Sequence, residues 1–125
     1  MRLLLDTHIF CWWFYEPERL SGGTLKLIRG AERVFVSSAS IWEVAIKARL
    51  GKIDADPREL YEQIETNNFH ELTIWSKHAL VVATLPLHHT DPFDRLLIAQ
   101  AITEPLHFLT ADPLLKQYSE LVIQV

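Results

Sequence analysis

Leu3-Leu4-Leu5-Asp6-Thr7-His8 decides the fold: an unbroken apolar run meets an acid and a hydroxyl within the first turn's length of chain. A continuous apolar run reads as a strand covered on both faces, because a half-exposed strand would alternate. Asp6-Thr7 then supplies residue types that open helices. Strand passing directly into helix is a unit that the rest of the chain repeats. Val34 to Val36 read as a second strand ended by Ser37-Ser38, Glu71 to Ile74 as a third, His107 to Leu109 as a fourth and Leu121 to Val125 as a fifth. Helical stretches separate them. They run from about His8 to Tyr15, from Thr24 to Arg29 with Gly30 closing, from Ile41 to Leu50, from Asp56-Pro57 to Asn67, from Ser76 to Ala83 and from Asp91-Pro92 to Ile102, with a short one after Asp112-Pro113. In the helix from Ile41, Ser40 is the expected cap, Glu43 holds the capping-box position and Gly51 is the stop. Short strands alternating with helices imply α/β layers around a largely parallel sheet, in a single domain over residues 1–125.

Composition narrows the function classes. Hydrophobic residues make up 49% and charged residues 22%, ordinary globular usage that excludes a disordered chain. With Cys11 as the lone cysteine no intrachain disulfide can form, which points to a reducing cytoplasm. Met1 to Leu5 is too short for a signal peptide, and no stretch approaches the roughly 20 apolar residues of a membrane span, so a soluble cytoplasmic protein is expected. The formal net charge of −4 argues against a broad basic face for nucleic acid. Work on nucleic acid would need a bound cation among the acids, or basic surface from a partner.

The acids are placed where such a cation would sit. Asp6 and Asp112 follow apolar strands, and Asp94 lies in the first turn of the helix that Asp91-Pro92 begins. Ligands of open α/β sheets bind beyond the carboxyl ends of the strands, so acids at these junctions can converge. Helix capping accounts equally well for each one singly, since Asp before Pro is a common helix start. Glu43 has its own local explanation: Ser40, Glu43 and Lys47 form a polar stripe with a favourable i,i+4 pair, expected to face solvent. The alternative is that the stripe faces the acids. Clustered carboxylates would raise one another's pKa unless a cation neutralised them, and an all-oxygen set selects hard ions such as Mg2+ or Mn2+. No zinc pattern is present, and His88-His89 read as loop residues.

Four stretches taken together carry a resemblance: Leu3 to His8; Ser40-Ile41-Trp42-Glu43-Val44-Ala45-Ile46-Lys47; Leu85-Pro86 through His89-Thr90-Asp91-Pro92-Phe93-Asp94-Arg95-Leu96-Leu97-Ile98-Ala99-Gln100-Ala101; and Leu109-Thr110-Ala111-Asp112. In this order and spacing they resemble a PIN-domain protein of the VapC toxin type, over nearly the whole chain from Leu3 to Leu121. The resemblance implies a compact three-layer α/β/α fold with a mainly parallel central sheet. It further implies a Mg2+- or Mn2+-dependent endoribonuclease, held inactive by a small antitoxin and forming a homodimer. Carried over by position, the catalytic and metal-holding acids are Asp6, Glu43, Asp94 and Asp112, with Asp91 as cap or support and Thr110 as a hydroxyl beside the site. Arg95, next to Asp94, fits either a contact to RNA phosphate or a surface ion pair. The chemistry expected of such a site is hydrolysis by a water whose pKa a metal lowers, with no general-base histidine required.

Phe10, Trp12, Trp13 and Phe14 exceed what one helix face needs, and Trp42 adds another ring. Core packing explains them, and so does an apolar groove for an antitoxin segment that includes Trp12 and Trp13. Alternative readings of the chain are a catalytically inactive PIN-like binding module and, with a poorer fit, a phospho-signalling receiver domain. The receiver expects paired acids after the first strand, where this chain has Asp6-Thr7.

Overall fold

The computed structural model describes residues Met1 to Val125. In chain order the elements are β1 (Arg2–Leu5), α1 (Thr7–Tyr15), α2 (Gly22–Gly30), β2 (Arg33–Ser37), α3 (Ser38–Arg49), α4 (Pro57–Thr66), β3 (His70–Leu72), α5 (Ser76–Val82), α6 (Pro92–Thr103), β4 (His107–Thr110) and β5 (Val122–Gln124), with 3-10 turns at Pro17–Arg19 and Pro113–Tyr118. The strands form one sheet in the order β3-β2-β1-β4-β5, and each neighbouring pair is parallel.

β1 lies at the centre, and Leu3, Leu4 and Leu5 have no exposed surface, as a strand covered on both faces requires. Successive side chains point to opposite faces. Leu3 and Leu5 therefore join one apolar cluster with Ile9, Phe10, Ile28, Val44 and Leu60 of α1 to α4. Leu4 joins the other, with Leu97, Ile98 and Ala101 of α6 and Leu115 of the last 3-10 turn. The result is a three-layer α/β/α architecture: the alternating pattern implied α/β layers on a largely parallel sheet, and the resemblance implied the three layers. No helix is long and apolar enough to cross a membrane.

The chain steps outward from β1 to β2 to β3, then returns across the sheet to β4 and β5. Connections from β1 and β4 thus leave in opposite directions and open a crevice at their carboxyl ends, the usual ligand position in such sheets. A receiver domain has the order 2-1-3-4-5, so this sheet excludes that alternative.

Local details differ from expectation at helix ends. Ser37 caps α3, its Oγ accepting from the Ala39 amide at 3.0 Å, because β2 runs into the helix with no intervening loop. Ser40 therefore lies within the first turn, and Glu43 has no capping-box role. Gly30 stays inside α2 without a positive φ, whereas Gly51 adopts φ 71° just beyond α3, as a helix-stopping glycine does.

Candidate active site

Asp6 stands at the carboxyl end of β1, where its amide donates to the Leu109 carbonyl of β4 at 2.9 Å. It occupies the N-cap position of α1, yet its side chain makes no capping bond. The carboxylate is used elsewhere: Thr110 Oγ1 donates to Asp6 Oδ2 at 2.6 Å and accepts from the Asp112 amide at 3.1 Å. Thr110 is thus the link between the ends of β1 and β4. A second buried link, Thr7 Oγ1 to Ser40 Oγ at 2.9 Å, ties the start of α1 to the start of α3. One turn beyond Ser40 along that inward face comes Glu43, only 2% exposed. The polar stripe therefore faces inward, and the expected solvated face is wrong. Tertiary contact between α1 and α3 overrides the local pattern, and Lys47 Nζ meets Glu43 Oε2 at 2.5 Å along the stripe.

Asp91 and Asp94 separate cleanly. Asp91 Oδ1 accepts from the amides of Phe93 at 2.8 Å and Asp94 at 3.0 Å, so Asp91 caps α6. This leaves the Asp94 carboxylate free of capping duty and aimed at the other acids. Asp112 does both: Oδ1 accepts from the Leu114 amide at 2.9 Å, while Oδ2 receives His89 Nε2 at 3.0 Å. Ligand-capable atoms of His89, Asp94 and Asp112 lie within 4.8 Å of one another.

The electrostatics report the same convergence. Burial, then the charges of Asp6, Asp91, Glu43 and Asp112, push the Asp94 carboxyl up to about 8. Burial also raises Asp6, aided by the charge of Glu43 and opposed by the Thr110 hydrogen bond and His8. Burial opposes the Lys47 charge, but the hydrogen bond and charge of Glu43, with Asp91 and Asp94, outweigh it and hold the ammonium above its ordinary pKa. The Cys11 thiol is pushed up to about 12 by burial and by Glu43 and Asp6, which makes it unreactive. Asp6 Oδ1 and Glu43 Oε1 are buried without a hydrogen-bond partner. Each carboxylate is therefore fixed through one oxygen and leaves the other unanswered, an expensive arrangement for a buried anion. An oxygen-preferring cation answers it, and the donor set of carboxylates suits a hard divalent ion.

Two expectations change place and a third is extended. Arg95 is neither at a phosphate position nor in a surface ion pair. It is 9% exposed, and its guanidinium donates to the carbonyls of Val82, Leu85, Pro86 and His89 and to Tyr118 Oη. It ties the loop before α6 to the body of the protein. Arg95→Met, which fills the space without donors, should cost about 3 kcal/mol of stability, read as a lower urea midpoint at unchanged slope. His88 and His89 are loop residues as expected, but from that loop His89 reaches Asp112 and Asp94; its only local sign is a position two residues before a helix cap. The aromatic segment is divided: Phe10 is core, Trp12 lines a cleft of about 500 Å³ with His8, Tyr15, Arg19 and Lys52, and Trp13 faces a separate groove beside Phe69. Trp12 and Trp13 do not share one groove, because consecutive helical residues point about 100° apart.

Known proteins agree with this architecture. The sequence matches the PIN domain family over residues 3–121. It is 31% identical over 118 residues to ribonuclease VapC22 of Mycobacterium tuberculosis, spanning 93% of this chain and 91% of that one. The fold is similar to a chain in the crystal structure of VapBC2 from Rickettsia felis bound to a DNA fragment from their promoter. The TM-score is 0.69 at 15% identity, over 100% of this chain and 98% of that one. With the family matched along nearly its whole length, and with acids gathered at the carboxyl ends of a 3-2-1-4-5 parallel sheet, this chain belongs to the PIN-domain family and is of the VapC type.

Proposed function

We propose that this chain is a divalent-cation-dependent endoribonuclease, the toxin of a toxin–antitoxin pair, working in the cytoplasm as one domain. The observation that carries the reading is the pair of orphaned, buried oxygens on Asp6 and Glu43 beside Asp94, whose carboxyl burial and then the neighbouring acids raise to about 8. Asp6, Glu43, Asp94 and Asp112 would hold Mg2+ or Mn2+. Such a cation, when bound, acidifies water and neutralises charge at phosphate. The protein's own groups do the positioning. Thr110 fixes Asp6 through Oδ2, Lys47 fixes Glu43 through Oε2, and Asp91 fixes the first turn of α6 that carries Asp94. Without a cation the cluster repels an RNA phosphate, so RNA binding and cation binding are coupled.

The Mycobacterium tuberculosis relative is a ribonuclease, which supports the nuclease reading, and the Rickettsia felis neighbour of the same fold is a VapBC2 assembly on promoter DNA, which supports a partner protein. In this chain the cleft at Trp12 is the antitoxin position, since Lys47, whose ammonium meets Glu43 of the acidic site, forms part of its wall. A homodimer completes the assembly. The test is cleavage of structured RNA with Mg2+ or Mn2+. Wild-type protein should cut and be silenced by a chelator, and Asp6→Asn should lose roughly a thousandfold in rate. Metal-dependent cleavage that persists in Asp6→Asn refutes the site, and no cleavage by wild type leaves an inactive PIN-like module.

A further inference from the structure

We propose that His89 is a positioning residue of the acidic site: the Asp91 amide occupies its Nδ1, which leaves Nε2–H to donate to Asp112, so that the ring does not itself ligate the cation. Its importance for cleavage rests on the nuclease reading above, but the assignment of its proton does not. The Asp91 amide donates to His89 Nδ1 at 3.0 Å. A ring nitrogen that accepts a hydrogen bond carries no proton, so the proton of the neutral ring sits on Nε2. Nε2 faces carboxylate oxygens, Asp112 Oδ2 at 3.0 Å and Asp94 Oδ2 at 3.5 Å. By residue type alone, His89, Asp94 and Asp112 form a plausible histidine–carboxylate metal site. For Nε2 to offer its lone pair, however, the proton would have to move to Nδ1, where it would point at the Asp91 N–H and leave two donors opposed.

The surroundings hold this arrangement rigidly. The Asp91 amide is fixed because Asp91 is the cap of α6. The His89 amide donates to Tyr118 Oη at 2.9 Å, and Arg95 Nη1 donates to that oxygen at 3.1 Å and to the His89 carbonyl at 3.4 Å. A buried guanidinium and a phenol therefore fix the His89 backbone, and a backbone amide fixes its ring. Asp112 is the consequence: with Leu114 N on Oδ1 and His89 Nε2 on Oδ2, both of its oxygens are engaged, in contrast to Asp6 and Glu43. Outer-shell donors of this kind orient ligating carboxylates.

Two-bond 1H–15N spectra of the full chain read the ring directly, with the His89 signals assigned by their loss in His89→Gln. The expected pattern has the proton on Nε2 and none on Nδ1, before and after saturation with Mg2+. An Nδ1-protonated, doubly protonated or metal-shifted Nε2 pattern overturns the proposal. In RNA cleavage, His89→Leu, which has no donor, should lower kcat roughly 10- to 100-fold. His89→Gln, which keeps an amide donor near the Nε2 position, should recover to within about threefold of wild type. Equal losses in Gln and Leu, or none in either, also overturn it. Failure of wild-type protein to cut RNA would defeat the nuclease reading, while the tautomer pattern would still decide what His89 does.

Discussion

In chelator at neutral pH, Asp94→Asn should melt roughly 5–10 °C above wild type, while its RNA cleavage falls by at least about a thousandfold. Both effects have one cause. Asp94 is held among Asp6, Asp91, Glu43 and Asp112, and burial plus their charge raise its carboxyl from an ordinary 3.8 to about 8. A carboxyl whose proton affinity rises on folding makes the folded state less stable at any pH where the unfolded chain has released that proton. Asparagine keeps the shape and does not titrate, so folding no longer has to take up a proton against neutral pH. It still buries a polar amide, so we expect a gain of about 2 kcal/mol, below the full linkage value. Loss of activity follows because a neutral amide no longer helps to hold a divalent cation. A lower melting temperature in chelator, or unimpaired cleavage, would refute the assignment of Asp94.

Removal of the cation should matter most at high pH. The folded state keeps the Asp94 proton up to about pH 8, whereas the unfolded chain gives it up near 3.8. The group therefore costs no stability below about pH 4, a growing amount from 4 to 8, and a constant amount above. Asp6, raised in the same direction, adds to the trend. Glu104 runs the other way: the His78 hydrogen bond first, and then Lys77, hold its carboxyl below the ordinary value, so its contribution is lost as pH falls. The clean measurement is thus the difference between wild type and Asp94→Asn, melted with and without Mg2+ across this range. In wild type, Mg2+ should do little near pH 4. Near pH 8 it should stabilise by about 2.7 kcal/mol at a concentration ~100-fold above its Kd. A Mg2+ effect that does not grow with pH, or that is equally large in Asp94→Asn, contradicts a cation held by these carboxylates.

Much of the molecule is legible without coordinates. The unbroken Leu3-Leu4-Leu5 run, the Asp-Pro helix starts and the alternation of strands with helices lead to α/β layers around a largely parallel sheet, because burial on both sheet faces and helix capping are local demands on residue type; the three-layer arrangement came from the resemblance. The placement of Asp6, Asp94 and Asp112 at strand and helix ends belongs to the same local grammar. Their convergence does not, since it depends on β1 and β4 becoming neighbours across about a hundred residues, a pairing no local pattern encodes.

Glu43 and His89 show where local reasoning stops. An i,i+4 Glu–Lys pair beside a serine has the pattern of a solvated stripe, and only the Thr7–Ser40 contact between α1 and α3 turns it inward. Arg95 is the converse, a charge whose position suits either a phosphate or a surface ion pair and which is consumed by carbonyls of a loop folded over it. The acidic residues and their order along the chain were thus determined by the sequence itself. Which of their oxygens are spent on caps and which remain for a cation was decided only by tertiary structure, because a hydrogen-bond partner is a matter of position in space. Asp91 and Asp94 make the point most plainly: one turn apart with the same side chain, one is occupied by two amides and the other is left facing the site.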